Sequence, residues 1–280
     1  MADEPTVNQP VVTLNNGITI PQLGLGVFRT KEGKETVDAV RWALEAGYRH
    51  IDTARAYNNE ESVGQGIRES GVKRRDIFLT TKLWNQDIRD GRARDAFFES
   101  LDRLGTDYVD LYLIHWPANG WQKAWEAMEE LYNERRIRAI GVSNFHRHHI
   151  EELRSFSDLT PAADQIESSP QFPNQELIDW DLEQGIAVEA WSPLGGTGGS
   201  LLANPTVAAV AAKYGKSPAQ AIIRWHLQRG VVVIPKSIHE ARIRQNFDVF
   251  DFALSEEDMH ALSNLGINRR QGSDPDDFDF

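Results

Sequence analysis

Short apolar, β-rich runs recur to the end of this chain with helix-patterned segments between them, and that alternation constrains the fold more than any other feature. The runs fall at 24–28, 49–52, 77–82, 109–115, 137–143, 163–167, 187–191 and 231–236. Helical spacing occupies 36–46, 59–70, 91–104, 121–133, 146–155, 174–184 and 218–229. In the first helical segment Val37, Val40, Ala43 and Leu44 share one face, and Gly47 ends it. Strand-like runs separated by helices require parallel strands joined by crossovers. Eight such units in roughly 250 residues match a closed (β/α)8 barrel. A doubly wound open sheet would normally carry a glycine fingerprint after its first strand, and Gly24-Leu25-Gly26-Val27-Phe28-Arg29 lacks the third glycine. Ahead of the alternation, VVTLNNGITIP reads as a hairpin turning at Asn16-Gly17. No composition break marks a linker. The expectation is one barrel domain over residues 1–280, with 1–10 and about 270–280 as mobile ends.

Composition bounds the partners. A formal net charge of −12 argues against general nucleic-acid binding, because the phosphate backbone rewards basic surfaces. The chain has no cysteine, which excludes disulfides, thiolate metal sites and a cysteine nucleophile. The opening MADEPTVNQP has neither the basic start nor the apolar run of a signal peptide, and no stretch is apolar enough to span a membrane. These features together predict a cytoplasmic protein whose partner is a small molecule.

In a barrel of this kind the active site lies at the C-terminal ends of the strands. The residues found there are chemically selective: Asp52 ends the second run, Lys82 the third and His115 the fourth. The fifth ends in Ser143-Asn144, the sixth passes through Gln165 and the eighth ends in Lys236-Ser237. Buried charges need partners, so several on one rim are expected to converge. Tyr57 follows Asp52 by five residues, within reach of the same point. Free tyrosine titrates near 10, too high for an efficient proton donor, and the Lys82 ammonium is expected to lower it while Asp52 keeps the lysine charged. A neutral His115 can hydrogen-bond a substrate carbonyl. Such a group polarises and protonates a carbonyl but supplies no electrons, so a bound hydride donor is required.

The segments HIDTARAYNNEESVGQGI, FLTTKLW, DLYLIHWP, IGVSNF and IPKSIHEARIRQNF, in this order, resemble the aldo-keto reductase superfamily. The resemblance runs from about Val11 onward and is nearest to the prokaryotic branch that includes 2,5-diketo-gluconate reductases. It implies a (β/α)8 barrel capped by the N-terminal hairpin, with the C-terminal tail near the active-site rim. It also implies Asp52, Tyr57, Lys82 and His115 as a catalytic tetrad, and a monomer as the default state. By the same resemblance, NADPH lies across the rim. Gly26, Val27 and Asp52 border it, and Ser143, Asn144 and Gln165 hold the nicotinamide carboxamide. Trp191 stacks on the ring, and Ser192, Pro193 and Leu194 begin the pyrophosphate loop, followed by Gly195-Gly196-Thr197-Gly198-Gly199. Lys236, Ser237 and Arg242 match the positions that hold the 2′-phosphate, where two cations and a hydroxyl suit a phosphate dianion. Gln245 and Asn246 stand beside the adenine, with Gln245 in place of the usual glutamate.

Phe28, Trp84 and Trp116 match the apolar walls around the substrate carbonyl, beside His115. Trp121 is expected to pack at least as readily as it overhangs the site. Arg55 departs from the small or apolar residue expected between Asp52 and Tyr57, and is read as pointing to solvent. No metal site is expected. The spacing of His146, His148 and His149 does not place all three on one helical face, and the acidic tail GSDPDDFDF reads as a solvated end. Two other functions fit the same barrel. One is an NADPH-binding regulatory or redox-sensing subunit; the other is an enzyme using Lys82 as a Schiff-base nucleophile, which an aspartate beside the lysine disfavours.

Overall fold

In the computed structural model, which describes residues 9–196 and 198–280, the chain first forms the expected hairpin. Strands β1 (Val11–Thr13) and β2 (Thr19–Pro21) pair antiparallel, with Val12 opposite Ile20. Gly17 supplies the positive φ of 85° that the tight turn needs. The amides of Asn15 and Asn16 tie the turn to the carbonyls of Pro161 and Arg138. Leu14 and Ile20 thereby close the bottom of the barrel against Phe78, Leu111, Ala163 and Val232. Most of the lead segment predicted to be mobile, residues 1–8, lies outside the described residues.

Eight strands follow as a parallel sheet in simple sequential order. They are β3 (Leu25–Gly26), β4 (His50–Asp52), β5 (Phe78–Leu83), β6 (Val109–Ile114), β7 (Ile137–Ser143), β8 (Ala163–Glu167), β9 (Ala187–Trp191) and β10 (Val232–Val233). The two ends of the sheet meet: Leu23 bridges Val233, and the amide of Gly24 donates to the Val233 carbonyl at 2.9 Å. That contact closes the barrel. Each predicted run overlaps the corresponding strand, and only β5 extends past its run, by Leu83, because a parallel strand covered on both faces must be nearly continuously apolar.

Helices α1 (Lys34–Ala46), α2 (Glu60–Glu69), α4 (Ala93–Leu104), α5 (Trp121–Asn133), α6 (Arg147–Leu153), α7 (Gln175–Glu183) and α9 (Pro218–Gln228) lie within about two residues of expectation. Helix α9 has its start written in the sequence: Ser217 and Gln220 form a reciprocal capping box and Pro218 takes the first turn. Four further helices, α3 (Asn85–Arg89), α8 (Pro205–Lys213), α10 (Glu240–Phe247) and α11 (Glu256–Ser263), were not foreseen. Helix α10 shows why: it buries only Ile243 and Asn246, so it has almost no apolar period. Among the described residues no helix is long and apolar enough to cross a membrane.

One buried polar pair lies away from the rim. Asp164 on β8 and Asp181 on α7 are both fully buried, and no side chain caps either carboxyl. Burial pushes Asp181 up to about 8, against the opposing charge of Arg154, while burial and Asp181 together push Asp164 well up. A carboxyl raised in the folded state binds its proton there after the unfolded chain, with an aspartate value near 4, has lost it. Stability therefore falls as pH rises from about 4 to about 8. Asp181→Asn is expected to raise Tm by at least about 2 °C at pH 8, with the gain shrinking toward pH 5. Thermal melts of both proteins at the two pH values check this, and an equal shift at both would show that the pair is not held protonated.

Candidate active site

Parallel register is what assembles the rim. Gly26 pairs with Asp52 and Asp52 with Thr80, so Lys82, two residues further along β5, points into the barrel on the same side. The Lys82 ammonium donates to both oxygens of Asp52 at 2.7 Å and to the Thr53 carbonyl at 2.8 Å. The short 3-10 turn after β4, Arg55–Tyr57, brings the Tyr57 hydroxyl to 3.4 Å from the same nitrogen. Gln165 on β8 donates to Asp52 at 2.8 Å, holding the carboxylate from the other side. His115, just past β6, has its ring edge-on to Tyr57 at a centroid distance of 5.7 Å.

Burial sets the charges. It would pull the Lys82 ammonium down, but Asp52 and Tyr57 reverse this and the net shift is upward, so the lysine stays protonated. Burial and the neighbouring Lys82 hold His115 well below the usual imidazole range, which favours the neutral ring. Tyr57 departs from expectation. Burial pushes the phenol up to about 12, and the Lys82 charge only opposes this. Moving the phenolate out of water costs more than an ammonium at 3.4 Å returns. The ring is half-buried and borders the cleft. Tyr57 is therefore protonated at neutral pH, with the Lys82 ammonium beside its hydroxyl.

A second acid, not singled out from the sequence, sits deeper in the barrel. Glu189 on β9 is buried, lies 3.6 Å from His50, and is pushed up to about 8 by burial and by Asp52. Its signal in the sequence was a lone acid inside the apolar run AVEAW.

Above these groups opens a cleft of about 1050 Å3, large enough for an extended ligand of cofactor size. Ser143, Asn144 and Gln165 line one wall. They are fixed by a chain in which Ser143 donates to the Gln165 carbonyl and Asn144 to the His115 carbonyl. Trp191 donates its indole N–H to the Asn144 side-chain oxygen at 2.9 Å, a contact that fixes the plane of the ring. Ser192, Pro193, Leu194 and Gly196 continue the wall, and Thr197 of the glycine-rich loop lies outside the described residues. At the far end stand Lys236, Ser237, Arg242, Gln245 and Asn246, with Lys236 and Arg242 exposed to the cleft. Gly26 borders the cleft too, but Val27 does not. It is fully buried beneath the rim, where its amide donates to the Asp52 carbonyl and its own carbonyl accepts from Asn59.

Phe28, Trp84 and Trp116 line the remaining wall. Trp121 packs on Phe145 and Phe156 instead and does not reach the cleft. Arg55 is half-buried off the cleft, with a 3.4 Å contact to Asn58, rather than free in solvent.

The C-terminal tail lies at the active-site rim, where the family resemblance placed it, but it is not the solvated, mobile end that its acids suggested. Glu167, at the end of β8, accepts the amides of Gln271 and Gly272 at 2.6 and 3.1 Å. A Cβ on Gly272 would stand 2.5 Å from the Trp191 ring, so only glycine lets the tail lie against that indole. Further on, Phe278 packs on Trp116, and Phe280 stacks on Trp84 at 6.0 Å. Asn85 and Arg89 hold the Phe280 main-chain oxygen. The tail thus forms part of the cleft wall, because its two phenylalanines find apolar partners that a count of its acids does not reveal.

Comparison with known proteins agrees with this geometry. The sequence profile described as the aldo/keto reductase family matches residues 22–267. The glyoxal reductase of Bacillus subtilis is 49% identical over 277 residues, covering 99% of this chain and 100% of that protein. The methylglyoxal reductase of Escherichia coli is 44% identical over 274 residues, covering 97% of this chain and 98% of that protein. The crystal structure of an aldo/keto reductase from Brucella melitensis superposes with a TM-score of 0.88 at 51% identity, covering 92% of this chain and 100% of that one.

Proposed function

The chain belongs to the aldo/keto reductase family, and from that premise we propose that it uses NADPH to reduce small aldehydes and ketones, as a single-barrel, monomeric, cytoplasmic enzyme. The observation that carries the chemistry is the Lys82 ammonium held by both Asp52 oxygens with the Tyr57 hydroxyl beside it. The cofactor fits what lines the cleft: a flat indole locked by Asn144, the side chains of Ser143, Asn144 and Gln165, and two exposed cations beside Ser237. When bound, NADPH supplies the hydride.

The protein's own residues do the rest. His115, neutral and edge-on to Tyr57, donates to the carbonyl oxygen and sets it near the phenol. Tyr57 gives its proton to that oxygen as charge develops there. Lys82 stabilises the phenolate left behind, and Asp52, fixed by Gln165, keeps the ammonium in place. The aromatic wall of Phe28, Trp84 and Trp116, closed by Phe280, excludes water from the reacting carbon. Relatives named glyoxal and methylglyoxal reductase point to α-dicarbonyls first, and keto-sugars are the second class to try.

The test is NADPH oxidation across aldehydes, α-dicarbonyls, ketones and keto-sugars. Tight NADPH binding without turnover on any of them would favour the regulatory role instead. Cofactor choice is checked by Arg242→Ala. Only NADPH carries the 2′-phosphate, and a lost charge-assisted contact of about 1.5–3 kcal/mol corresponds to roughly 10- to 150-fold weaker NADPH binding. NADH binding should hardly change. Equal weakening of both would show that Arg242 does not read the phosphate.

A further inference from the structure

The sequence argument against a metal at His146, His148 and His149 assumed that all three stand on one helix. His146 does not. It is the N-cap of α6, with extended φ and ψ of −92° and 165°, so the helical wheel does not govern its direction. The folded tail then brings a fourth residue to the same point from 130 positions away: Asp276. One Asp276 oxygen lies 2.9 Å from His146 Nδ1, and the other lies 3.1 Å from His148 Nε2 and 3.5 Å from His149 Nε2.

The four donor atoms lie within 4.8 Å of one another. Metal–ligand bonds of about 2.0–2.2 Å in a tetrahedron place donors roughly 3.3–3.6 Å apart. An inward shift on the order of 1 Å by surface side chains therefore completes the geometry. Three imidazoles with one carboxylate suit zinc, nickel or copper; magnesium and calcium take oxygen ligands. We propose that His146, His148, His149 and Asp276 form a site for a divalent cation of the zinc, nickel or copper class. None of the four lines the catalytic cleft, so the site is separate from the proposed reductase chemistry and does not depend on it.

The metal-free contacts say what binding must change. Arg270 donates to His146 Nε2 at 2.9 Å, and the His146 amide donates to His149 Nδ1 at 3.1 Å. Both rings then carry their single proton on the nitrogen facing Asp276. A cation takes that place, each proton moves to the opposite ring nitrogen, and these two contacts are given up. His148, 58% exposed, lets the ion enter without opening the cleft.

Binding would also fasten the tail. Asp276 lies two and four residues before Phe278 and Phe280, which cover Trp116 and Trp84. The same cation would bond to the loop that follows Ser143 and Asn144. A cation here thus joins one wall of the cleft to the other.

The experiment uses the full chain without a histidine tag, stripped with chelator and titrated calorimetrically with Zn2+ or Ni2+ in excess Mg2+. One equivalent should bind in the micromolar range or tighter. Asp276→Asn and His148→Ala should each weaken this by at least about 10-fold, and each should abolish the rise in Tm that Zn2+ gives the unaltered protein. Both residues are half-exposed or more, so both variants should fold. His260→Ala, an exposed histidine outside the cluster, should leave binding unchanged. No saturable binding below about 1 mM, or binding that survives both substitutions, would overturn the proposal.

Discussion

Tyr57→Phe should keep the fold and the affinity for NADPH while lowering carbonyl turnover by roughly 10²–10⁴-fold, the scale of a lost general acid. The substitution is local. The hydroxyl's one hydrogen-bond partner among the described residues is Lys82, at 3.4 Å, and without it the ammonium still has both Asp52 oxygens and the Thr53 carbonyl. The ring keeps its packing on Phe28 at 5.0 Å and on His115 at 5.7 Å. Steady-state NADPH oxidation, with cofactor binding followed separately by fluorescence, distinguishes the outcomes. Near-normal turnover in a folded variant would remove Tyr57 from the mechanism.

Lys82→Met should nearly abolish reduction, whereas Lys82→Arg should retain part of it. Met removes the charge that stabilises the departing phenolate and leaves Asp52 buried without its counter-ion. Breaking a buried pair in this way costs about 3–5 kcal/mol of stability, so a lower Tm should accompany the loss. Arg keeps a charge, but its larger planar head fits poorly where Lys82 is fully buried. The sign of the pH effect follows from the geometry. Lys82 opposes the upward push on Tyr57, so Met should raise the phenol further and move any alkaline fall in residual rate to higher pH. A Schiff-base enzyme would behave otherwise: both variants would be inactive, and borohydride would trap substrate on the wild-type lysine. The upward shift of Lys82 argues against that, since a protonated amine is no nucleophile. Trapping at Lys82 without NADPH-dependent reduction by any variant would overturn the mechanism.

Much of the site was legible because a parallel barrel writes itself locally. Strands covered on both faces are apolar nearly throughout, so the polar residues that end them stand out, and Asp52, Lys82, His115 and Ser143-Asn144 fell on one rim by that rule. The exceptions have particular causes. Val27 shares the strand-end segment of Gly26 and Phe28, but alternation puts it with Leu23 and Leu25 in the core shared with the helices, away from the cleft. Glu189 looked like a polar interruption of a strand, and only the register of β8 and β9 places it beside Gln165 and near Asp52.

The order of the eight strands, seven of the helices, the hairpin turn, the polar residues that end the strands and the family were legible in the sequence alone, because each depends on residues close together or on a periodic pattern. Tertiary structure decided what depends on dielectric surroundings and on distant chain. It set the direction of the Tyr57 shift, because desolvation outweighs a lysine 3.4 Å away. It also drew an acidic tail to the cleft, where Glu167 caps its amides and two tryptophans cover its phenylalanines, and so carried Asp276 to His146, 130 residues earlier, and to the neighbouring His148 and His149. Neither periodicity nor composition encodes such a meeting, because the contacts that hold it come from strand ends far apart in the chain.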